Sequence, residues 1–208
     1  EIARPIANEP VGRITEDILR AQEPLVGDLA GESPLGNLIA DAQLAATDDE
    51  AGAVAAFMNP GGVRADLVHA SSPAGEGDGV VTYGEVFEVQ PFNNLLTTMD
   101  LTGEQLYALL DQQFQVGRVL APSDSVRYSV TSAGVVPGSL TIGGATVVLT
   151  ESYRITVNNF LAGGGDGFSV LTQGTNVVNQ PGFDVDALEA HLAGDPVSAP
   201  ATDRISAG

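Results

Sequence analysis

The sequence contains no cysteine and no lysine. The absence of cysteine excludes disulfide bonds, thiolate metal ligands and a cysteine nucleophile. The chain has no run that approaches the roughly 18 apolar residues of a membrane span. Its start, Glu1-Ile2-Ala3-Arg4, lacks the basic-then-apolar order of a signal peptide. Because the chain begins at a glutamate, we expect it to be a mature or excised piece of a longer protein.

Positive charge is scarce as well. Eight arginines stand against 27 acidic side chains, and the formal net charge is −19. Such a surface argues against binding to nucleic acid or to an anionic membrane. An anionic ligand would have to be met by a few placed arginines, whose planar fork can bind a phosphate bidentately. The alternative is that the bias reflects only a GC-rich genome or adaptation to salt.

The local patterns predict a domain in which strands alternate with helices. A length of 208 residues suits one sizeable domain or two small ones. Ser33 and Pro34 form a helix start, and capping boxes follow at Thr82 and Thr102. The predicted helices are 34–47, 82–87, 102–117 and 184–192, and the predicted strands are 53–58, 95–101, 126–130, 139–142, 146–149 and 153–157. We therefore expect an α+β fold with a mixed sheet and packed helices.

The predicted division of the chain has three parts. Residues 1–30 are expected to be an entry or interdomain linker segment, with helical spacing at 14–20. Residues 31–194 form the domain itself. Residues 195–208 are rich in proline and alanine and are expected to be a loose tail.

A glycine-rich loop follows the strand at 153–157. It contains Gly163, Gly164, Gly165 and Gly167 around Asp166, and Phe160 and Phe168 bracket it. A Walker loop is excluded, because that loop ends in Gly-Lys-Ser/Thr, and the spacing does not fit a dinucleotide fingerprint. The loop could place its phenylalanines for stacking on a ligand. The alternative is an ordinary strand-to-helix turn with two core phenylalanines.

A second loop at a strand end, Asn59-Pro60-Gly61-Gly62-Val63-Arg64, carries an amide and an arginine around a Pro-Gly-Gly turn. That layout could place both groups on the rim of one site. The alternative is a loop-capping asparagine with a surface arginine. A third candidate is Gln90-Pro91-Phe92-Asn93-Asn94, in which the proline fixes the approach of Phe92 to a turn.

These blocks, together with the helix start at 33–42, resemble in order and content the C-terminal domain of the 5′-nucleotidase family, which includes UDP-sugar hydrolases and 2′,3′-cyclic-nucleotide phosphodiesterases. The resemblance covers nearly the whole chain. It implies a two-domain extracytoplasmic hydrolase whose N-terminal metallophosphoesterase domain holds two divalent metal ions and a catalytic His-Asp pair. This chain would be the domain that binds the nucleotide, with no cofactor and no catalytic residue of its own.

The resemblance also assigns roles to individual residues. Phe92 and Phe160 match the rings that stack on the base, Asp166 the carboxylate that accepts from the ribose hydroxyls, Arg64 a phosphate-side arginine, and Asn59 an asparagine near the base. The predicted substrate-binding set is Asn59, Gly62, Arg64, Phe92, Asn93, Phe160, Gly164, Gly165 and Asp166. One departure is that Gly31-Glu32-Ser33 stands where relatives have further arginines. Monophosphates, UDP-sugars and cyclic nucleotides therefore all stay open as ligands.

Catalysis by this chain alone is not expected. Its two histidines, His69 and His191, lie in an apparent loop and a terminal helix, whereas a dimetal phosphoesterase centre needs several converging ligands. A serine hydrolase is also disfavoured, because the sequence around Ser33 lacks the Gly-x-Ser-x-Gly spacing. Two functions stay open: the substrate domain of a nucleotide hydrolase, or a non-catalytic, stand-alone or cell-wall-linked module that binds nucleosides.

Overall fold

The computed structural model describes residues 6–27, 29–73 and 75–208. Within these residues the helices are α1 (Pro34–Ala45), α2 (Asp48–Ala51), α3 (Tyr83–Val89), α4 (Gly103–Val116), α5 (Asn159–Ala162) and α6 (Asp184–Leu192). The strands are β1 (Pro10–Arg13), β2 (Pro24–Val26), β3 (Leu29–Ala30), β4 (Ala55–Met58), β5 (Val80–Thr82), β6 (Leu95–Thr102), β7 (Ala121–Pro122), β8 (Val126–Thr131), β9 (Gly134–Val135), β10 (Thr141–Ile142), β11 (Ala145–Thr146), β12 (Ser152–Asn158), β13 (Thr175–Phe183) and β14 (Ile205–Ala207).

A five-stranded mixed sheet forms the centre, in the order β13-β6-β12-β4-β7. β4 and β12 run parallel, and the other neighbours are antiparallel. A second five-stranded sheet has the order β11-β10-β8-β14, and its fifth strand, β9, pairs with β8. This architecture confirms the α+β class with a mixed sheet and packed helices.

The central sheet has an apolar core on each face. Successive side chains of a strand point to opposite faces, and accordingly Phe57 belongs to one core and Met58 to the other. The core with Phe57 includes Leu106 and Leu109 of α4. The core with Met58 includes residues of α1, α3 and α6. Helices therefore cover both faces of the sheet. A site that uses this sheet has to form at the ends of its strands.

The predicted helix starts are confirmed. The Ser33 hydroxyl accepts a hydrogen bond from the Gly36 amide at 3.0 Å, and both capping boxes are formed, Thr82 with Glu85 and Thr102 with Gln105. The sequence predicted a close approach at Gly36, and a Cβ added there would lie 2.9 Å from the Cβ of Ala121. None of the described helices combines the length and apolar character that a membrane crossing requires.

The helical spacing noted at 14–20 does not correspond to a helix. Ile14 and Ile18 are buried, but they form isolated bridges with Val197 and Leu67 in an extended segment. A separation of four residues places two side chains on one face of a helix and equally on one face of a strand, so the spacing does not distinguish them. Residues 1–5 lie outside the described part. The described residues of the entry segment are packed, because β1 pairs with β5 and Leu25 packs on the core.

The expectation of a loose tail at 195–208 is also wrong. β14 pairs in parallel with β8, and the buried Arg204 side chain forms an ion pair with Asp41 at 2.7 Å. The Glu32 carboxylate accepts a hydrogen bond from the Ile205 amide at 2.6 Å. Asp41 and Glu32 are each more than 160 residues from their partners in the tail, so local composition could not reveal these contacts. The domain boundary at residue 31 stays a prediction.

Candidate functional site

Three loops meet at one edge of the central sheet. β4 and β12 are parallel neighbours, so their carboxyl ends, at Met58 and Asn158, lie at the same edge. β6 is antiparallel to β12 and pairs Leu96 with Asn158, so the chain enters β6 at that edge too. The loops that begin at Asn59 and Asn159 and the turn at 91–94 are therefore brought together by sheet topology.

These loops enclose a cavity of about 350 Å³. It is lined by Asn59, Gly61, Gly62, Phe92, Asn94, Asn158, Phe160 and Asp166. Phe92 is 53% exposed and Phe160 is 48% exposed. An open cavity with two half-exposed aromatic rings and a few amide and carboxylate groups has the composition of a small-molecule site.

The glycines of the loop after β4 pack closely against two side chains. Pro60–Gly62 form one turn of 3₁₀ helix. A Cβ added at Gly62 would lie 2.5 Å from the Met58 methyl, and one added at Gly61 would lie 3.2 Å from the Asp166 Oδ2. At Gly61 the backbone of this loop therefore lies against the Asp166 carboxylate of the glycine-rich loop, and a side chain there would press on that carboxylate.

The loop after β12 places one phenylalanine in the cavity and the other in the core. The Asn158 side chain caps α5 by accepting from the Leu161 amide at 2.9 Å. The Phe160 ring lies over Gly165, where an added Cβ would be 2.5 Å from the ring Cε1. Phe168, by contrast, is fully buried. Phe168 therefore fits the interpretation as a core residue, whereas Phe160 lines the cavity and its stacking on a ligand stays a prediction.

A polar network joins the loops behind the cavity. The Asn158 Nδ2 donates to the Asn59 Oδ1 at 3.0 Å, and the Asn59 Nδ2 donates to the Asp166 Oδ2 at 2.8 Å. The second carboxylate oxygen, Oδ1, accepts from the Arg118 guanidinium. Asp166 lies in the left-handed region with φ of 56°. Both of its oxygens are therefore oriented by donors from other parts of the chain.

The turn that carries Phe92 is hydrogen-bonded to the first residue of α6. Asn94 donates through Nδ2 to the Asp184 Oδ2 at 3.0 Å, and the Asp184 amide donates to the Asn94 carbonyl at 2.8 Å. Burial raises the pKa of Asp184 above its ordinary range, and the hydrogen bond from Asn94 opposes that rise. On the outer side, the Arg64 guanidinium carbon lies 5.9 Å from the centre of the Phe92 ring.

The predicted site residues fall into two groups. Asn59, Gly62, Phe92, Phe160 and Asp166 line the cavity, whereas Arg64, Asn93, Gly164 and Gly165 do not. Arg64 lies beside Phe92, Asn93 has a left-handed backbone with φ of 50°, and Gly164 and Gly165 support the loop.

Four residues of the arrangement were not predicted: Gly61, Asn94, Asn158 and Arg118. The first three lie within two positions of predicted residues in the sequence, so the loops were predicted and these individual residues were missed. Arg118 is different, because no motif marks it and it is 48 residues from its partner. Only the scarcity of arginine in this chain could have drawn attention to it.

A dimetal centre does not fit the described residues. No three histidine, aspartate or glutamate side chains of that part are grouped as metal ligands. The backbone amide of His69 donates to Asp17, and His191 lies in the last turn of α6, so the two histidines belong to different parts of the fold. No step of a metal-dependent reaction is therefore assigned to this chain.

The comparisons with known proteins point to one family. The pattern of the family described as "5'-nucleotidase, C-terminal domain" matches residues 10–173. The chain is 34% identical over 184 residues to the trifunctional nucleotide phosphoesterase protein YfkN of Bacillus subtilis, covering 82% of this chain and 12% of that protein. It is 32% identical over 179 residues to the cell wall protein Lmo0130 of Listeria monocytogenes, covering 80% of this chain and 22% of that protein.

Comparison with solved structures points to the same family. The structure of a 5′-nucleotidase precursor from Thermus thermophilus superposes with a TM-score of 0.77 and 29% identity, over 99% of this chain and 41% of that one. The chain therefore spans less than half of each of these proteins.

Proposed function

Because the chain belongs to the 5′-nucleotidase C-terminal domain family, we propose that it is the nucleotide-binding domain of a metal-dependent hydrolase and that it presents nucleotides to an N-terminal metallophosphoesterase domain. The observation that carries the proposal is the cavity at the sheet edge, which Phe92 and Phe160 line together with Asn59 and Asp166. The four residues come from three loops that only the fold brings together.

The two rings support a base as the ligand. Each ring is about half exposed, although water contact at apolar surface is unfavourable. A purine or pyrimidine between them would cover apolar area on both faces, and aromatic pairs add about 0.5 to 1.5 kcal/mol each beyond the buried area. We therefore assign the base to the space between Phe92 and Phe160.

The polar groups support a ribose and a phosphate on either side of that base. Asp166 offers a carboxylate in the cavity wall, which would accept from vicinal hydroxyls. Arg64 lies at the rim beside Phe92, and its guanidinium would meet a phosphate there. The Asn59 amide, adjacent to both loops, would lie near the base or the sugar.

The hydrolytic step is proposed to lie on a partner domain of the same polypeptide. There, two divalent metal ions would activate water, and this chain would bind and orient the substrate. The Bacillus relative is named a nucleotide phosphoesterase, and the Listeria relative is named a cell wall protein. These names support a nucleotide hydrolase that works outside the cytoplasm.

The test is to separate binding from hydrolysis. We expect the 208-residue chain to bind adenosine and AMP with dissociation constants of about 0.1 to 1 mM, corresponding to roughly −4 to −6 kcal/mol. Incubation with AMP, UDP-glucose or 2′,3′-cyclic AMP and Mn²⁺ or Zn²⁺ should release no phosphate or nucleoside. Turnover that scales with chain concentration and survives repurification would contradict the proposal, as would the absence of any nucleoside binding in calorimetry.

The alternative is a non-catalytic module that binds nucleosides at the cell wall, which the Listeria relative favours. The reading frame upstream of Glu1 distinguishes the two functions. Metal-binding Asp-x-His and Gly-Asn-His-Asp/Glu motifs there would support the hydrolase, and an upstream sequence without them would support the module.

A further inference from the structure

The ion pair between Arg118 and Asp166 is not explained by the proposed roles of the cavity residues. The Arg118 Nη1 donates to the Asp166 Oδ1, and the Asn59 Nδ2 donates to Oδ2 at 2.8 Å. The Asp166 side chain is mostly buried, whereas the Arg118 side chain is 51% exposed. An arginine that reaches from solvent to a carboxylate in a cavity wall can influence what that carboxylate binds.

Arg118 is placed by a rigid part of the fold. It follows Gly117, which ends α4 in the left-handed conformation, and it precedes the buried Val119 and Leu120. The buried side chain of Gln113 accepts from the Leu120 amide at 2.8 Å and donates to the Tyr128 hydroxyl at 3.1 Å. The backbone on both sides of Arg118 is therefore fixed by these contacts, and this defines the position of the Arg118 Cα atom.

The loop that carries Asp166 packs on the same end of α4. A Cβ added at Gly167 would lie 2.8 Å from the Val116 Cγ1. Val116 is the last residue of α4, two positions before Arg118. This contact brings the loop next to the C-terminal end of α4, so that the Arg118 side chain can reach the Asp166 carboxylate.

We propose that Arg118 is a positioning residue that determines the specificity of this site for a ligand with a vicinal diol. A carboxylate has about four lone-pair directions on its two oxygens. Two donors from the protein, Arg118 and Asn59, use one direction on each oxygen. The remaining directions can accept from two adjacent hydroxyls, and the guanidinium charge disfavours a cationic ligand in their place.

This inference rests on the proposed function, because it takes Asp166 as the acceptor for a ribose. Its test compares adenosine with 2′,3′-dideoxyadenosine, since only the first carries the diol. Calorimetry would give the ratio of their affinities for the wild-type chain, Arg118→Ala and Arg118→Lys. Arg127→Ala is the matched control, because Arg127 forms a surface ion pair with Asp124 and lies outside the cavity lining.

We expect Arg118→Ala to lower the adenosine affinity by about threefold to tenfold, the scale of one ordinary hydrogen bond, because the carboxylate remains but is less well positioned, and to lower the dideoxy affinity by less than about twofold. Arg118→Lys should restore part of the wild-type preference for adenosine over 2′,3′-dideoxyadenosine, because the lysine charge can still reach the carboxylate. Arg127→Ala should leave the ratio unchanged. If the wild-type chain binds the nucleosides but Arg118→Ala keeps the wild-type ratio, or weakens both ligands equally, the role of Arg118 is wrong and the proposed function stands. If the wild-type chain binds neither nucleoside, both are wrong.

Discussion

Two half-exposed phenylalanines are the residues on which the proposed ligand site most depends. Phe92 and Phe160 each present an apolar ring to the same cavity, and a ring left in water forgoes the free energy of burial. Both rings are held where they are: Phe160 lies over Gly165, and the turn that carries Phe92 is tied to α6 through Asn94 and Asp184. Fixed rings reduce the entropy lost when a ligand binds.

The first prediction concerns these rings. Phe92→Ala or Phe160→Ala should weaken nucleoside binding by roughly 1 to 3 kcal/mol, the scale of base–aromatic stacking. Phe87→Ala is the control, because Phe87 is also partly exposed but stacks on Tyr83 outside the cavity lining. Calorimetry with adenosine and uridine measures the effect. Unchanged affinity in folded Phe160→Ala would mean that the ring has only a packing role.

The second prediction separates the polar roles. Asp166→Asn should weaken binding of a ribonucleoside more than that of its dideoxy analogue, because it removes an ionised acceptor whose hydrogen bonds contribute about 1.5 to 3 kcal/mol. Arg64→Ala should weaken AMP binding more than adenosine binding, because only AMP carries a phosphate. Titration of both variants with all three ligands tests this. Equal losses for every ligand in both variants would show that the two side chains serve only the loop structure.

At the residue scale, the sequence predicted most of the cavity because its loops carry short, dense motifs. Phe92, Phe160 and Asp166 lie in blocks whose glycines, prolines and amides are recognisable as local patterns. Arg118 could not be predicted in this way, since its partnership with Asp166 depends on how α4 packs against the glycine-rich loop. Long-range pairs of this kind leave no local pattern.

At the element scale, the helices that begin with a capping box could be predicted from the sequence, whereas the edge strands of the sheets could not. The capping boxes that begin at Thr82 and Thr102 each mark the start of a helix within four consecutive residues. β13, in contrast, is an edge strand with mostly exposed side chains, and its pairing with β6 has register shifts. An exposed edge strand has no buried face and so shows no alternation of apolar residues. β14 was missed for a related reason, because long-range contacts hold it.

The third prediction concerns α6 and the turn that it supports. Burial raises the pKa of Asp184 above its ordinary value of 3.8, so the folded protein keeps this proton in a pH range where the unfolded chain releases it. The side chain therefore favours folding most at pH values below that range, and its contribution falls as the pH rises through it. Asp184→Asn removes this titration. The free energy of unfolding of the variant, relative to wild type, should increase as the pH rises from about 3 to neutrality.

Urea unfolding at several pH values measures the difference. Glu151→Gln is the control, because it removes one negative charge at an exposed position. A difference that is constant over this pH range, or that Glu151→Gln reproduces, would contradict the assignment to Asp184.

The fourth prediction concerns the attachment of β14. The buried Arg204 side chain binds both carboxylate oxygens of Asp41 and donates to the Pro122 carbonyl at 2.7 Å. Removing one partner of a buried ion pair costs about 3 to 5 kcal/mol. Arg204→Met keeps an apolar stem and should lower the free energy of unfolding by about that amount. Arg127→Met removes a surface ion pair with Asp124 and should cost about 0 to 1 kcal/mol. Similar losses in urea unfolding would show that Arg204 is not what fixes the strand.

At the scale of the whole molecule, the charge distribution sets the conditions for an anionic ligand. The net charge of −19 is spread over a chain with eight arginines, and only some of these lie near the cavity. Arg64 stacks beside Phe92, and Arg118 is engaged with Asp166. The proposed nucleotide ligand would therefore be repelled by the distant acidic surface and attracted by the Arg64 guanidinium.

Salt distinguishes these two effects, because the Debye length is about 10 Å at 0.1 M ionic strength and about 30 Å at 0.01 M. Repulsion from acidic side chains across the surface acts over distances that salt screens strongly. The contact between Arg64 and a phosphate would act within about 4 Å, where screening is weaker. The fifth prediction is that the affinity for AMP, relative to adenosine, rises by about twofold to fivefold when ionic strength increases from about 0.01 to 0.2 M. Titrations of both ligands at four salt concentrations would show it, with adenosine as the uncharged control. A relative AMP affinity that falls with salt would mean that local arginines outweigh the acidic surface, and the phosphate would then be bound by more than Arg64.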